Sequence, residues 1–218
     1  MKVRYLGHAA FLITTADGRK VVTDPYEPGG FGGAIGYGAL KEPADFVTVS
    51  HEHADHNYIG MVPGNPTVIR QAGEETHGGI LFRALMTHHD ASRGAERGRN
   101  IVRVMEADGI SVCHLGDLGH ALSPEDATAL GALDVLLVPV GGTFTVDAKG
   151  ATAVVNRLRP RIAIPMHYRT PKVGLDIAPV DGFLAGKSRV TRVDGSEIEL
   201  DKGTLPEPTE IVVLEPAL

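Results

Sequence analysis

The chain has 218 residues, enough for one domain with a sizeable core, and its net charge of −6 argues against a general nucleic-acid or anionic-membrane surface. Hydrophobic residues make up 43%, while 27 glycines and 14 prolines point to many short elements rather than a helical bundle. The single cysteine, Cys113, excludes an intrachain disulfide framework, and no stretch approaches the ~18 apolar residues of a membrane span. With no signal-peptide pattern at the start, a soluble cytoplasmic protein is the expectation.

In chain order, Lys2–Leu6, Phe11–Thr14 and Lys20–Thr23 read as three strands, the last two joined by an Asp17-Gly18 hairpin signal. The third ends at Asp24-Pro25, where the aspartate is either a turn former or a group that orients a ligating histidine. Residues 27–43 are glycine-rich and lack periodicity. Phe31, Ile35, Tyr37 and Leu40 in this loop suggest a substrate lid or an oligomer contact. Asp45–Val49 is a strand, and Asn57–Met61 a short helix that Asp55 could cap.

Thr67–Arg70 is a strand, Gln71–His77 a loop or short helix, and Ile80–Thr87 and Ile101–Glu106 two more strands. Ile110–Leu115 is a strand with Cys113 in the core, leading into Gly116-Asp117. Ser123-Pro124-Glu125-Asp126 carries an N-cap, an N1 proline and first-turn acids, so a helix starts there. Asp134–Val140 reads as a buried strand, Asp147–Leu158 as a helix, and Arg161–Pro165 as a strand entering Met166-His167-Tyr168-Arg169. Two or three short strands follow Ser188. No repeat, low-complexity tract or linker divides the chain, so residues 1–218 form a single domain.

The densest chemistry is Ser50-His51-Glu52-His53-Ala54-Asp55-His56-Asn57, with three histidines and an aspartate in six positions just past a strand. Neutral imidazoles and carboxylates are preferred ligands of zinc, manganese and iron. His51 and His53 can share a face, while Asp55 and His56 reach toward a second position, which invites two metals. Three further places repeat the pattern of a strand end followed by His or Asp: His88/His89, Asp117 and His167. Taken alone, each is more often a hydrogen-bonded structural residue; their common position argues for a site. One of His88/His89 with His51, His53, Asp55, His56, Asp117 and His167 makes seven groups, about what a buried metal pair needs. His8, Asp24, Asp90 and Tyr168 are weaker candidates for supporting or substrate-contacting roles, as are His114, His120 and Arg169; His77 reads as solvated.

These residues resemble the metallo-β-lactamase superfamily over nearly the whole chain. Its H-x-H-x-D-H signature is matched by His51, His53, Asp55 and His56, and its early aspartate, Gly-Asp and last histidine by Asp24, Gly116-Asp117 and His167. Leu6-Gly7-His8-Ala9-Ala10-Phe11, His114-Leu115-Gly116-Asp117 and Pro165-Met166-His167-Tyr168 look like a small branch of metal-dependent hydrolases related to the ascorbate-6-phosphate lactonase group. The resemblance implies an α+β fold, a four-layer αββα sandwich with two divalent metals at one edge. Zinc is the first choice, with manganese or iron also suited.

It further implies that His51, His53 and a third histidine bind one metal, that Asp55, His56 and His167 bind the other, and that Asp117 bridges. The third histidine is taken as His89, because Asp90 follows it and could orient it or its neighbour and relatives tend to show a His-Asp pair here; His88 is the alternative, and adjacent strand residues face opposite ways, so one of the two ligates. The implied reaction is attack by a metal-bridging hydroxide on an ester, lactone or phosphoester, with Asp55 orienting the nucleophile or accepting its proton. Aspartate at position 117, where lactam-hydrolysing members tend to carry cysteine, argues against antibiotic hydrolysis. The expected partner is a small-molecule substrate, with a homo-oligomer allowed and no membrane partner. A phosphodiesterase or nuclease is the runner-up substrate class. A non-hydrolytic metal-binding or redox iron protein on the same fold is the alternative class.

Overall fold

The computed structural model describes residues 1–218. Six strands form the first sheet: β1 (Lys2–Gly7), β2 (Ala10–Thr14), β3 (Lys20–Thr23), β4 (Phe46–Thr48), β5 (Thr67–Ile69) and, from the C-terminal part, β13 (Glu197–Glu199). Its order is β13-β1-β2-β3-β4-β5. The second sheet holds eight strands: β6 (Gly73–His77), β7 (Ile80–His88), β8 (Arg99–Ala107), β9 (Ile110–His114), β10 (Val135–Pro139), β11 (Ile162–Met166), β12 (Val190–Arg192) and β14 (Glu210–Val213). They lie in the order β12-β14-β11-β10-β9-β8-β7-β6.

The period-2 pattern of the strands decides which side chains meet between the sheets. Val3, Tyr5, Phe11, Ile13, Val21, Phe46 and Ile69 face inward and join Phe82, Val102 and Val104 of the second sheet in the main core. Leu6, Leu12, Val22 and Val47 face the opposite way into a second apolar cluster. Helices Pro124–Leu130 and Ala148–Leu158 pack on the eight-stranded sheet, against β7 and β10. The first starts with Ser123 and Asp126 in a reciprocal capping box, and the second with Asp147 accepting from the Gly150 N–H.

The outer face of the six-stranded sheet is covered mainly by the chain between β3 and β4 rather than by a long helix. Tyr26, Ile35, Tyr37 and Leu40 are buried there with Met61 and Val173. An isolated bridge joins Ile35 to Val173, and Tyr37 Oη lies 2.8 Å from Thr170 Oγ1. Ile35, Tyr37 and Leu40 of the 27–43 segment are therefore part of a covering layer on the sheet, whereas Phe31 of the same segment is 55% exposed.

Two local expectations are corrected. Gly73–His77 is strand β6, a polar sheet edge paired antiparallel with β7 through a turn at Gly78-Gly79, both with positive φ. The Asn57–Met61 helix reduces to a 3₁₀ turn at Ile59–Met61, and the Asp55 side chain faces the histidines rather than capping it. No helix is long and apolar enough to cross a membrane.

Strand direction places the chemistry. β7 and β9 are each antiparallel to β8, and β9, β10 and β11 are mutually parallel, so β7, β9 and β11 end at one edge of the sheet. Their ends are followed by His89, Asp117 and His167. From the other sheet, the segment after β4 delivers Ser50 to His56 to the same edge. Backbone bonds Ile101 N–H to Ser50 O (2.9 Å) and His167 N–H to His8 O (2.8 Å) join the two sheets there.

Candidate metal centre

Three groups of ligand-type atoms, those of each group within 4.8 Å of one another, converge at this edge: His51, His53 and His89; His8, Asp55, His56 and His167; and, behind the rings that these two share with it, Asp24, His51 and His56. Asp117 lies between the first two. Its Oδ2 is 3.1 Å from His89 Nε2, 3.3 Å from His56 Nε2, 3.4 Å from His167 Nε2 and 3.9 Å from His51 Nε2. One carboxylate oxygen thus faces four imidazole nitrogens.

The tautomers follow from what surrounds the rings. Asp24, buried, accepts from the Ser50 N–H (2.8 Å) and the Ser50 hydroxyl, and lies 2.9 Å from His56 Nδ1. An ionised carboxylate only accepts, so His56 carries its proton on Nδ1. The Ser50 hydroxyl donates its hydrogen to Asp24 in a hydrogen bond and can only accept from His51 Nδ1, 2.9 Å away. Both histidines therefore turn Nε2 toward Asp117. Each of these Nε2 atoms, together with Asp117 Oδ1, is buried with no hydrogen-bond partner. Such orphans cost ~1–3 kcal/mol apiece, so several in one place call for a ligand. A divalent cation fits this donor set of imidazole and carboxylate.

The electrostatics agree. Burial, then the His56 ring, pushes the His51 imidazole down to about 3, so it stays neutral and ready to ligate. Burial alone would raise the Asp55 carboxyl, but His56 and His8 outweigh it and hold the group well below the usual carboxylate range. Burial likewise opposes ionisation of Asp117, and His167 and His56 reverse it. His56 is driven the other way: burial disfavours its charge, yet Asp117 and Asp55 raise it well above the ordinary imidazole value. Cation binding takes the place of that proton.

Backbone strain concentrates at the same edge. His8, Asp24 and His167 have φ of 54°, 38° and 50°, a region that side chains other than glycine occupy at a cost of ~1–3 kcal/mol. Gly116, just before Asp117, has φ 54°, and a Cβ there would lie 2.3 Å from Asn100 Oδ1. That Asn100 oxygen accepts from the Asp117 N–H at 2.9 Å, while its Nδ2 bonds Thr87 Oγ1 and Leu115 O. Asn100 and Ser50 both support the cluster. Neither carried a sequence signal beyond Ser50's place beside His51.

Of the weaker candidates, Asp24 lies against the His56 ring, 2.9 Å from its Nδ1. His8 is closer to the chemistry than expected: it is fully buried, with Nε2 3.0 Å from Asp55 Oδ2, and burial, then the His167 ring, lowers it to about 4. His89, not His88, joins the cluster; the His88 N–H instead donates to His120 Nε2.

Two expectations are corrected. Asp90 does not orient His89, because its oxygens accept from the backbone N–H groups of Ser92, Gly94, Glu96 and Arg97 and so fold the loop after β7. Tyr168 points away from the cluster into the main core near Leu214 O, because the left-handed turn at His167 sends these two neighbours in opposite directions. Arg169 lines the same distant cavity as Tyr168. His114 is structural, donating to Ala9 O and accepting from the Gly116 N–H. His120 is also satisfied, at Ala121 O and the His88 N–H. His77 pairs with Glu75 on β6.

A cavity of about 530 Å³ opens over the cluster, with His53, Asp55, Asp117 and His167 at its floor and Phe31, Phe144 and Leu175 among its walls. Phe31 belongs to the glycine-rich loop already singled out as a candidate cover for the substrate, whereas Phe144, from a loop far away in sequence, carried no sequence signal.

The family model described as the Beta-lactamase superfamily domain matches residues 2–167. A UPF0173 metal-dependent hydrolase of Thermococcus kodakarensis is 30% identical, covering 92% of this chain and 100% of its own. A metallo-beta-lactamase superfamily protein of Thermotoga maritima is 39% identical and superimposes with a TM-score of 0.80 over 98% of both chains. A metallo hydrolase of Ignicoccus hospitalis, at 22% identity, shares the fold with a TM-score of 0.65, covering 99% of this chain and 95% of its own. With the fold, the ligand-type cluster and these relatives together, the chain belongs to the metallo-β-lactamase superfamily, among its UPF0173 metal-dependent hydrolases.

Proposed function

We propose that the protein is a binuclear hydrolase of a small ester, lactone or phosphoester. His51, His53 and His89 hold one divalent ion, Asp55, His56 and His167 hold the second, and Asp117 bridges. The observation that carries this reading is the convergence of His51 Nε2, His56 Nε2 and Asp117 Oδ1, all buried and without partners. Zinc is the first choice, with manganese or iron also suited to a donor set of imidazole and carboxylate. The ions supply a water that ionises near neutral pH and a Lewis acid for the oxygen that gains charge.

The chain's own groups do the rest. Asp55, kept ionised beside His8 and His56, orients the nucleophile or takes its proton at a carboxylate oxygen. Asp24 and Ser50 hold the rings of His56 and His51 so that each Nε2 faces inward. Phe31, Phe144 and Leu175 give the substrate apolar walls, and the cavity volume of about 530 Å³ suits a small molecule rather than a polymer. A cytoplasmic location is in keeping with a lone, buried Cys113.

Elemental analysis of the purified protein, followed by turnover assays on aryl esters, lactones and phosphodiesters, tests the reading. About two equivalents of metal per chain with hydrolysis of at least one class is the expected result. One equivalent or none after reconstitution, or two with no hydrolysis, would overturn it.

A further inference from the structure

Beside the cavity over the metal centre lies a second one of about 380 Å³, and the two share Glu52, His53 and Arg97. Arg70, Arg99 and the half-exposed Met86 are among its other walls. Three guanidiniums thus meet one carboxylate, in a chain whose overall charge is −6. That carboxylate, Glu52, is already matched by Arg70 at 3.0 Å. Arg99 makes no ion pair, and Arg97 has only a 3.8 Å contact with its neighbour Glu96, itself mostly solvent-exposed. Exposed pairs of that kind are worth little, so Arg97 and Arg99 leave a positive charge at the rim of the site.

Arg97 is also held in place. Its guanidinium carbon sits 5.8 Å from the centre of the Phe144 ring, on the wall of the metal-centre cavity. Its backbone N–H donates to Asp90 Oδ2 at 2.8 Å, and Asp90 gathers three more N–H groups of the same loop. One short loop therefore runs from His89 to Arg97, with its shape fixed by Asp90. A guanidinium so placed is preorganised to bind carboxylate or phosphate through two parallel hydrogen bonds.

We propose that this arginine-lined cavity docks an anionic group, carboxylate or phosphate, carried by the substrate while its scissile bond lies over His53 and Asp55. This rests on the hydrolase reading and narrows it to anionic small molecules with an apolar portion against Phe144 and Phe31.

The test uses the metal-loaded protein and two esters of one acyl length and leaving group: mono-4-nitrophenyl glutarate, which is anionic, and its neutral methyl ester. The native protein is expected to favour the anionic ester. In Arg97→Ala/Arg99→Ala the ratio of the two kcat/KM values should fall about tenfold or more, as expected for losing hydrogen bonds to a charged group. Arg97→Lys, which keeps the charge and loses the fork, should lie between. A ratio unchanged in all variants, with both esters hydrolysed, overturns the docking site and leaves the hydrolase reading standing.

Should neither ester turn over, calorimetry of the metal-free protein with glutarate and with glycerol phosphate decides the matter separately. Binding that the double variant loses supports the docking site, and the tighter ligand of the two identifies carboxylate or phosphate. Absent binding, or equal binding by native protein and variant, overturns it.

Discussion

His114 and His51 occupy equivalent places, one closing β9 and one just beyond β4, both buried at the same sheet edge. They differ in what their ring nitrogens meet. His114 has a partner at each nitrogen, Ala9 O and the Gly116 N–H, and is complete as it stands. His51 has Ser50 at Nδ1 and nothing at Nε2, and the same holds for His56 beyond its Asp24 bond. Burial and residue type are alike, so the difference lies in the accounting of lone pairs. A buried histidine with both nitrogens paired supports the fold, whereas one aiming a bare nitrogen at a shared carboxylate marks a ligand site.

The comparison breaks most directly at Asp117, which faces both sets of rings. Asp117→Ala is expected to reduce metal content from about two equivalents to one or fewer. Hydrolysis should fall beyond the ~10–100-fold that losing a mere supporting partner costs. Full metal content with normal turnover would remove it from the bridge. Asp55→Ala is the next largest: hydrolysis is lost, and a fully active variant would take Asp55 out of the mechanism. Elemental analysis in parallel separates lost ligation from lost chemistry.

How much of this was legible in the sequence depends on range. The strands that alternate between two cores, such as Val3 and Tyr5 against Leu6 and Leu12, were readable because each face writes its own period. β6 was not, because a polar edge strand reading Gly-Glu-Glu-Thr-His buries too little to show alternation; the Gly78-Gly79 turn was the overlooked signal. The apolar residues of the 27–43 loop were visible, but not their destination, the outer face of the sheet whose strands β3 and β4 the loop connects. At the site, His51 to His56, Asp117 and His167 stood out because strand ends share a rigid edge. His8 and Asn100 did not, since a single histidine or asparagine carries no pattern. Arg97 and Phe144 meet only through loop closure.

Within the histidines, the comparison sharpens through paired substitutions. His89→Ala should lower metal content more than His88→Ala, because His89 Nε2 is 3.1 Å from Asp117 Oδ2 while His88 lies outside all three ligand groups. The opposite ranking would mean that the metal centre recruits the other residue. His114→Ala should keep both metals but lose stability, by ~1–3 kcal/mol for the carbonyl and N–H left unpaired in the core. Chemical denaturation of the metal-loaded protein reads this directly. Metal loss without a change in midpoint would assign His114 to the wrong class.

The smallest effect expected is at Ser50, which ligates nothing. Its hydroxyl donates to Asp24 and accepts from His51 Nδ1, so it alone keeps the His51 proton off Nε2. Ser50→Ala leaves every ligand in place and removes the tautomer control, and metal affinity should weaken ~10–100-fold in competition with a chromophoric chelator. Ser50→Thr retains the hydroxyl and should restore most of that affinity. If alanine binds as tightly as serine, the orientation of His51 comes from packing alone, and the distinction between paired and bare nitrogens loses its simplest physical cause.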